Sequence, residues 1–275
     1  MSSTPFSVLM SVYRKENPEF LRQALDSVFD QTAVPAEVVL VEDGPLTDEL
    51  YALLDDYGNS HPELKRVPLS ENRGLGLALQ EGINHCSNEL VARMDTDDIS
   101  VPTRFERQLA EFEKNPGIDI CGSHIKEFEE TPDHIVAERR VPLTHDDCKR
   151  YQRRRDAFNH VSVMFRKTAV LKAGNYQHCP LMEDTLLWAN MFKTGATAMN
   201  IDDYLVLVRI GKDMYERRGG MAYFKKYRKA RRVIYQTGFI SWWDYAYTIV
   251  IQFVVAIMPN SLRGFVFKKL LHKQS

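Results

Sequence analysis

Apolar and polar positions fall in alternating blocks along the first 125 residues, and the blocks set out a regular order of elements. The run 6-FSVLMSV-12 is almost wholly apolar and is bounded by Pro5 and the polar 14-RKENP-18, the pattern of a buried strand. Asn17 and Pro18 then supply an N-cap and a first helical position, and Phe20, Leu21, Ala24, Leu25 and Val28 recur at helical spacing. A second strand is expected over 37-EVVLVED-43, ending in a turn at Gly44-Pro45, followed by a helix over about 46–57. Then come a short strand near 65-KRVPL-69, a helix over 74-GLGLALQEGINHC-86 and a strand over 89-ELVARM-94. Pro102 is expected to open another helix with Phe105, Leu109 and Phe112 on one face, and 118-IDICG-122 to follow as a strand.

Strands alternating with helices of this length predict an α/β fold of right-handed βαβ units with a mainly parallel sheet. In such sheets ligands gather at the carboxyl ends of the strands. The polar clusters fall there: Tyr13 to Glu16 after the first strand, Glu42-Asp43 after the second, Asp95 to Asp98 after the fourth. From about 130 to 208 the rhythm loosens. There 159-NHVSVMFRK-167 and 204-YLVLVRI-210 read as strands, and 184-DTLLWANMFKTG-195 as a helix.

Composition changes this picture mainly at the C-terminus. A chain of 275 residues, 44% hydrophobic, has room for one large α/β domain or two smaller ones. From Arg209 to Ser275 there are 14 Lys and Arg against 3 Asp and Glu, while the preceding residues hold 22 against 34. A basic block on an acidic body points to an anionic partner for that block. The four cysteines (Cys86, Cys121, Cys148, Cys179) contain no CxxC pair, so neither a zinc knuckle nor a disulfide framework is expected. The first residues lack the basic and apolar regions of a signal peptide, and a reducing, cytoplasmic setting follows as an expectation.

The densest candidate chemistry is 95-DTDD-98, three carboxylates within four residues at a strand end. Unpaired carboxylates are too costly for a core. The alternatives are a polar turn before the Pro102 helix or a site for a hard dication, Mg²⁺ or Mn²⁺, shared with substrate phosphates. An EF-hand loop starting at Asp95 would put Glu106 at its twelfth position, but Ile99 and Ser100 stand where an oxygen ligand and a glycine are needed. An aspartyl phosphatase would carry its acids after the first strand, not the fourth. Gly74-x-Gly76 lacks the third glycine of a dinucleotide loop, since position 79 is Leu.

Four segments in order, 7-SVLMSVYRKENPEFLRQALDSVFDQT-32, 38-VVLVEDG-44, 72-NRGLGLALQEGI-83 and 93-RMDTDDISVPTRFERQ-108, resemble the family 2 glycosyltransferases. The resemblance covers roughly residues 6 to 125, with a further short motif near 183, and is strongest to bacterial exopolysaccharide, capsule and O-antigen transferases. It implies a GT-A fold: a Rossmann-like, mainly parallel sheet flanked by helices, with a basic and apolar helical C-terminal extension. It further implies a catalytic domain over 1–210, with a nucleotide-binding half to about 125 and an acceptor half over 126–210, and an extension over 211–275. The activity implied is inverting transfer of a hexose from a nucleotide-diphospho-sugar, most simply a UDP-sugar, to a polyprenyl-diphosphate-linked oligosaccharide. A sugar-nucleotide nucleotidyltransferase and a non-catalytic nucleotide- or membrane-binding scaffold are the competing classes. The first would carry a glycine-rich basic signature after its first strand, and 11-SVYRKENP-18 has no glycine.

The resemblance also assigns roles. Asp95, Asp97 and Asp98 would hold Mn²⁺ or Mg²⁺ against the donor diphosphate, with Asp97 or Asp98 touching the metal. Ser11, Tyr13, Glu16, Thr96 and Asp43 would line the nucleotide, Asp43 accepting from the uracil N3–H. Arg73 would reach base or phosphate, and His160 would lie near the donor. In 182-MEDTLLW-188, Asp184 would be the general base beside Glu183. Arg217 and Arg218 of 215-YERRGGM-221 would clamp a phosphate.

Beyond 225-KKYRKARR-232 lies 239-FISWWDYAYTIVIQFVVAIM-258, interrupted by Asp244 and Gln252 and so marginal as a membrane span. With 263-RGFVFKKLLHK-273 it suits an interfacial helix pair. Residues 225–273 are expected to meet an anionic membrane surface at the inner face of a bacterial cell membrane. A nucleic-acid partner is not expected.

Overall fold

The computed structural model describes residues 4–211 and 220–258. Its first half follows the expected alternation: β1 (Phe6–Val12), α1 (Pro18–Phe29), β2 (Glu37–Glu42), α2 (Asp48–Ser60), β3 (Leu64–Pro68), α3 (Leu75–His85) and β4 (Leu90–Arg93). A two-residue strand β5 (Ile99–Ser100) precedes α4 (Arg104–Lys114), β6 (Ile120–Phe128), β7 (Ile135–Arg139) and α5 (His145–Gln152). Then come β8 (Met164–Arg166), α6 (Lys167–Lys172), α7 (Glu183–Lys193) and β9 (Ala198–Arg209). A helical hairpin of α8 (Gly220–Gln236) and α9 (Trp242–Ile257) follows. Local chemistry sets several boundaries. Asn17 accepts the Glu19 N–H at 2.9 Å to start α1, with Pro18 inside the first turn. Ser241 and Asp244 form a reciprocal capping box at the start of α9.

The strands form one sheet in the order β3-β2-β1-β4-β8-β6-β9-β5, with β7 on β6. β1 pairs parallel with β2 and β4, β2 with β3, and β6 with β9, while β8 runs antiparallel between β4 and β6. Helices cover both faces, which explains why β1 is apolar without alternation. Val8, Met10 and Val12 face the core under α1, α2 and α4, and Leu9 faces the core under α3 and α7. Gly82 lets α3 lie close on the sheet, because a Cβ there would collide with the side chains of Leu9 and Val41. Gly44 takes a positive φ of 83° at the turn after β2, where a Cβ would meet the backbone of Glu71 and Asn72.

Three expectations need correction. The segment 159–167 is not one strand: His160–Ser162 is a 3₁₀ turn, and only Met164–Arg166 is extended before α6. Ser162 Oγ donates to Asn159 O at 2.9 Å, a local bond that competes with a sheet ladder. The helix after Pro102 begins at Arg104, one turn residue later than its cap Thr103. β6 and β9 are longer than their apolar cores, because buried Ser123, His124 and Glu127 and the irregularly paired Asp202-Asp203 interrupt the hydrophobic pattern.

A third apolar cluster joins Cys179, Met182, Leu186 and Ala189 to Ala230, Ile234 and Ile240, and so seats the α8–α9 hairpin on α7. Among the described residues, no helix is long and apolar enough to cross a membrane. The phosphate clamp expected at Arg217 and Arg218, and the second interfacial helix over 263–273, lie outside the described residues.

Candidate active site

The ends of β1, β2 and β4 lie side by side, and side-chain bonds lock the loops that leave them. Glu16 accepts from the Asn17 N–H at 2.9 Å and from Thr96 Oγ1 at 2.6 Å, so the loop after β1 is fastened to the acidic turn after β4. Ser11 adds its carbonyl to the Thr96 hydroxyl at 3.4 Å, and Tyr13 stands exposed beside them. Buried Asp43 accepts from the Arg73 N–H at 2.7 Å and the Gly74 N–H at 3.0 Å, and the Asn72 amide donates to its carbonyl. It organises the 72–74 loop with both carboxylate oxygens. Its neighbour Glu42 is occupied differently, in a 2.5 Å pair with Arg66.

Asp95, Asp97 and Asp98 each offer an oxygen within 4.8 Å of the others. Burial is the first cause that pushes Asp97 up to about 7, followed by the negative charges of Asp95 and Glu16. Asp98 is buried and is raised well above the ordinary range by burial, then by Asp95 and Asp97. Its Oδ1 accepts the Arg209 N–H at 2.8 Å. The Arg209 guanidinium lies 3.9 Å from the Phe20 ring centre, and donates to Asp97 O and Gln23. Asp95 is paired with Arg93, which is 1% exposed and whose Nε and Nη1 have no hydrogen-bond partner. Three close oxygen donors, partly open to solvent, fit a hard dication.

The second acid group opens α7. Glu183 and Asp184 lie in its first turn, and Met182 at the cap offers no side-chain acceptor. Asp184 supplies one itself, its Oδ1 taking the Thr185 N–H at 2.7 Å. Its Oδ2 has no hydrogen bond among the described residues. Burial, then Asp156, then Glu183 push Asp184 up to about 8. Glu183 is raised as well, chiefly by burial. A cleft of about 210 Å³ is lined by Arg73, Gly74, Gly76, His178, Leu181 and Glu183, so the loop held by Asp43 and the start of α7 share one wall.

His160 sits against an aromatic wall. Its Nε2 is 2.8 Å from the Tyr176 hydroxyl, its ring packs edge-on against Trp188, and burial followed by Arg93 holds it well below its ordinary value. Arg93, Arg209 and Asp156 were not singled out by sequence reasoning. Arg93 carries a signal that could have found it, an arginine inside the apolar strand 89-ELVARM-94 two positions before the acids. Arg209 ends 204-YLVLVRI-210 in the same way. Asp156, in 153-RRRDAF-158, sits in a stretch of charges with no such contrast.

Comparison with known proteins accords with this geometry. The family model described as Glycosyl transferase family 2 matches residues 7–174. The amylovoran biosynthesis glycosyltransferase AmsE of Erwinia amylovora is 40% identical over 96% of this chain and 98% of its own. The UDP-Gal:alpha-D-GlcNAc-diphosphoundecaprenol beta-1,3-galactosyltransferase of Escherichia coli is 36% identical over 98% of this chain and 97% of its own. Among solved structures, S. aureus TarS 1-349 in complex with UDP-GlcNAc is similar with a TM-score of 0.63 at 16% identity, covering 94% of this chain and 69% of that one. That likeness is one of fold. The chain belongs to glycosyl transferase family 2 and is a glycosyltransferase of the GT-A fold.

Proposed function

We propose that the protein transfers a hexose with inversion from a UDP-sugar to a polyprenyl-diphosphate-linked oligosaccharide in surface polysaccharide synthesis. The observation that carries this reading is the pairing of two acid groups. A crowded triad stands at the end of β4, and a separate carboxylate raised to about 8 opens α7. The activity for which the 36% identical Escherichia coli relative is named supports both the UDP-hexose and the diphospholipid acceptor. Ser11, Tyr13, Glu16, Thr96 and Asp43 are assigned to the nucleotide, together with Arg73, which lines the cleft shared with Glu183.

Asp97, with its oxygens less engaged than those of Asp98, would be the direct ligand for Mn²⁺ or Mg²⁺; Asp95 would complete the set, while Asp98 anchors Arg209. A bound dication supplies charge neutralisation for the departing nucleoside diphosphate. Asp184 Oδ2 takes the proton of the acceptor hydroxyl as its oxygen bonds to the anomeric carbon and the bond to the β-phosphate oxygen breaks. Glu183 flanks the base and lines the cleft toward Arg73.

The hairpin supports the reading that this chemistry takes place at a membrane surface. Lys225, Arg228, Lys229 and Arg232 form one face of α8 and line an open cleft with Tyr235, Trp242 and Tyr245. On α9 the exposed residues Trp243, Tyr247, Val250, Val254 and Ile257 recur at helical spacing. Cations beside an apolar stripe with aromatic residues at one end suit an anionic interface at the cytoplasmic face. The test is incubation with Mn²⁺, a panel of UDP- and GDP-hexoses and a polyprenyl-diphosphate-GlcNAc acceptor. A UDP-hexose is expected to be consumed with formation of a β-linked lipid product. Retention of anomeric configuration, or the absence of any nucleotide-sugar binding, would sink the reading.

A further inference from the structure

Asp156 is separated from α7 in sequence yet reaches its first turn. Thr185 is 3% exposed, and its Oγ1 donates to Asp156 Oδ1 at 2.5 Å across 29 residues of chain. The same Oγ1 lies 3.5 Å from Asp184 Oδ1. A hydroxyl has one proton to donate, and the shorter contact goes to Asp156. Asp184 Oδ1 is thereby left with a single strong donor, the Thr185 N–H.

The segment carrying Asp156 is itself held firmly. Gln152 Oε1 accepts the Ala157 N–H at 2.8 Å, and Arg231 donates to Arg153 O at 2.8 Å. Arg154 bonds Asp244 at the start of α9 at 2.7 Å and lies over the Tyr247 ring. The α8–α9 hairpin thus braces this segment from one side, while α7 meets it from the other.

We propose that Asp156 is a positioning residue for the base: through Thr185 it fixes the first turn of α7 and keeps a second hydrogen bond away from Asp184. The inference rests on the reading of Asp184 as the base. Its charge surroundings are specific. Glu183 adjoins Asp184 on α7, Arg93 bears on it from β4, and Tyr176 and Cys179 lie in the segment before α7. Arg231 and Tyr227 of α8 face Asp156. A carboxylate next to the base strengthens it by disfavouring its charged form; a hydrogen bond from Thr185 would weaken it by favouring that form.

Asp156→Asn removes the neighbouring charge. Thr185→Val removes the hydroxyl at nearly constant volume and leaves Asp156 only the long 3.5 Å bond from Gln152 Nε2, while Thr185→Ser retains the short one. For Asp156→Asn, kcat is expected to fall about 10- to 100-fold, a part of the full contribution of a general base. The acid limb of kcat/KM should move about one pH unit lower, with donor KM within about twofold of wild type. Thr185→Val should lower kcat in the same direction, and Thr185→Ser should restore it. Because Thr185→Val is the milder change, it decides the matter if Asp156→Asn does not fold. Wild-type kcat and pH profile in folded Asp156→Asn and Thr185→Val overturn the inference. So does a loss of kcat that Thr185→Ser fails to restore. If Asp184→Asn retains full activity, the base assignment falls and this inference with it. If Asp184→Asn is inactive while the other two behave as wild type, the positioning role alone falls.

Discussion

The two acid groups of the cleft use the same side chain under opposite conditions. Asp95, Asp97 and Asp98 come from one strand end and are met by arginines: Arg93 on Asp95, and the Arg209 backbone and side chain around Asp98 and Asp97. Asp184 and Asp156 come from separate segments, and no ion pair reaches either among the described residues. They are joined through the neutral hydroxyl of Thr185. Crowding in the first group leaves it ready to share a dication. In the second, burial and then the charges of Asp156 and Glu183 raise Asp184 to about 8. What separates the ligand cluster from the base is how many acids share one strand end and how each is held, not the residue type.

The largest expected effect tests the division of labour inside the triad. Asp97→Asn should lower turnover by about 10³-fold, the scale for losing stabilisation of a departing anion. It should abolish Mn²⁺-dependent UDP-sugar binding by calorimetry with little change in Tm, and chelation by EDTA should act likewise on the wild type. Asp95→Asn should also lower Tm, because it strands the buried Arg93 guanidinium, already lacking partners on two of its nitrogens. Losing one partner of a buried pair costs about 3 kcal/mol. Equal stability of the two variants would show that Arg93 does not depend on Asp95.

The same contrast explains what the sequence disclosed. The triad was legible because its three acids fall within four residues and follow an apolar strand, and strands β1, β2 and β4 were legible because both their faces are buried. Asp184 and Glu183 showed themselves at a helix start. Asp156 did not, since its partner lies across the fold and the intervening 159–167 stretch forms a 3₁₀ turn rather than the expected strand. Arg93 was passed over because 89-ELVARM-94 was read for its strand alone. Contacts closed by distant segments leave no periodic trace in either partner.

The second prediction sharpens the character of the base through its pH dependence. In the unfolded chain an aspartate titrates near ~3.9, whereas folded Asp184 titrates at about 8. Between these values the folded state holds a proton that the unfolded state has released. Its contribution to stability is therefore present at low pH and is lost as pH rises toward 8. Asp184→Asn removes this titration, so its Tm should fall less than that of wild type between pH 5 and 8, as followed by calorimetric unfolding (about those limits). Activity runs the other way, because the base must be ionised: kcat/KM should rise with pH through the same range. Parallel Tm–pH curves for the two proteins would remove Asp184 as the buried, proton-holding group.

The smallest effect concerns the hairpin, where cations again lack acidic partners but face solvent instead of a cleft wall. No described residue forms an ion pair with Lys225, Arg228, Lys229 or Arg232. A self-complementary pairing of two copies through this face would bring their basic stripes together, whereas an anionic bilayer would neutralise them. Each cation near such a surface is worth ~1 kcal/mol, or about fivefold in partitioning. Replacing them by Gln one at a time should weaken binding to phosphatidylglycerol vesicles by about that factor per residue, with added salt blunting each step. Trp243→Ala should weaken binding at every salt concentration, because its contribution is apolar burial. Turnover of a water-soluble acceptor should be unchanged, since none of these side chains lines the cleft between Arg73 and Glu183. Vesicle binding that is indifferent to both lipid charge and Trp243 would separate the hairpin from the membrane and leave its bracing of the Asp156 segment as its established contact with the catalytic body.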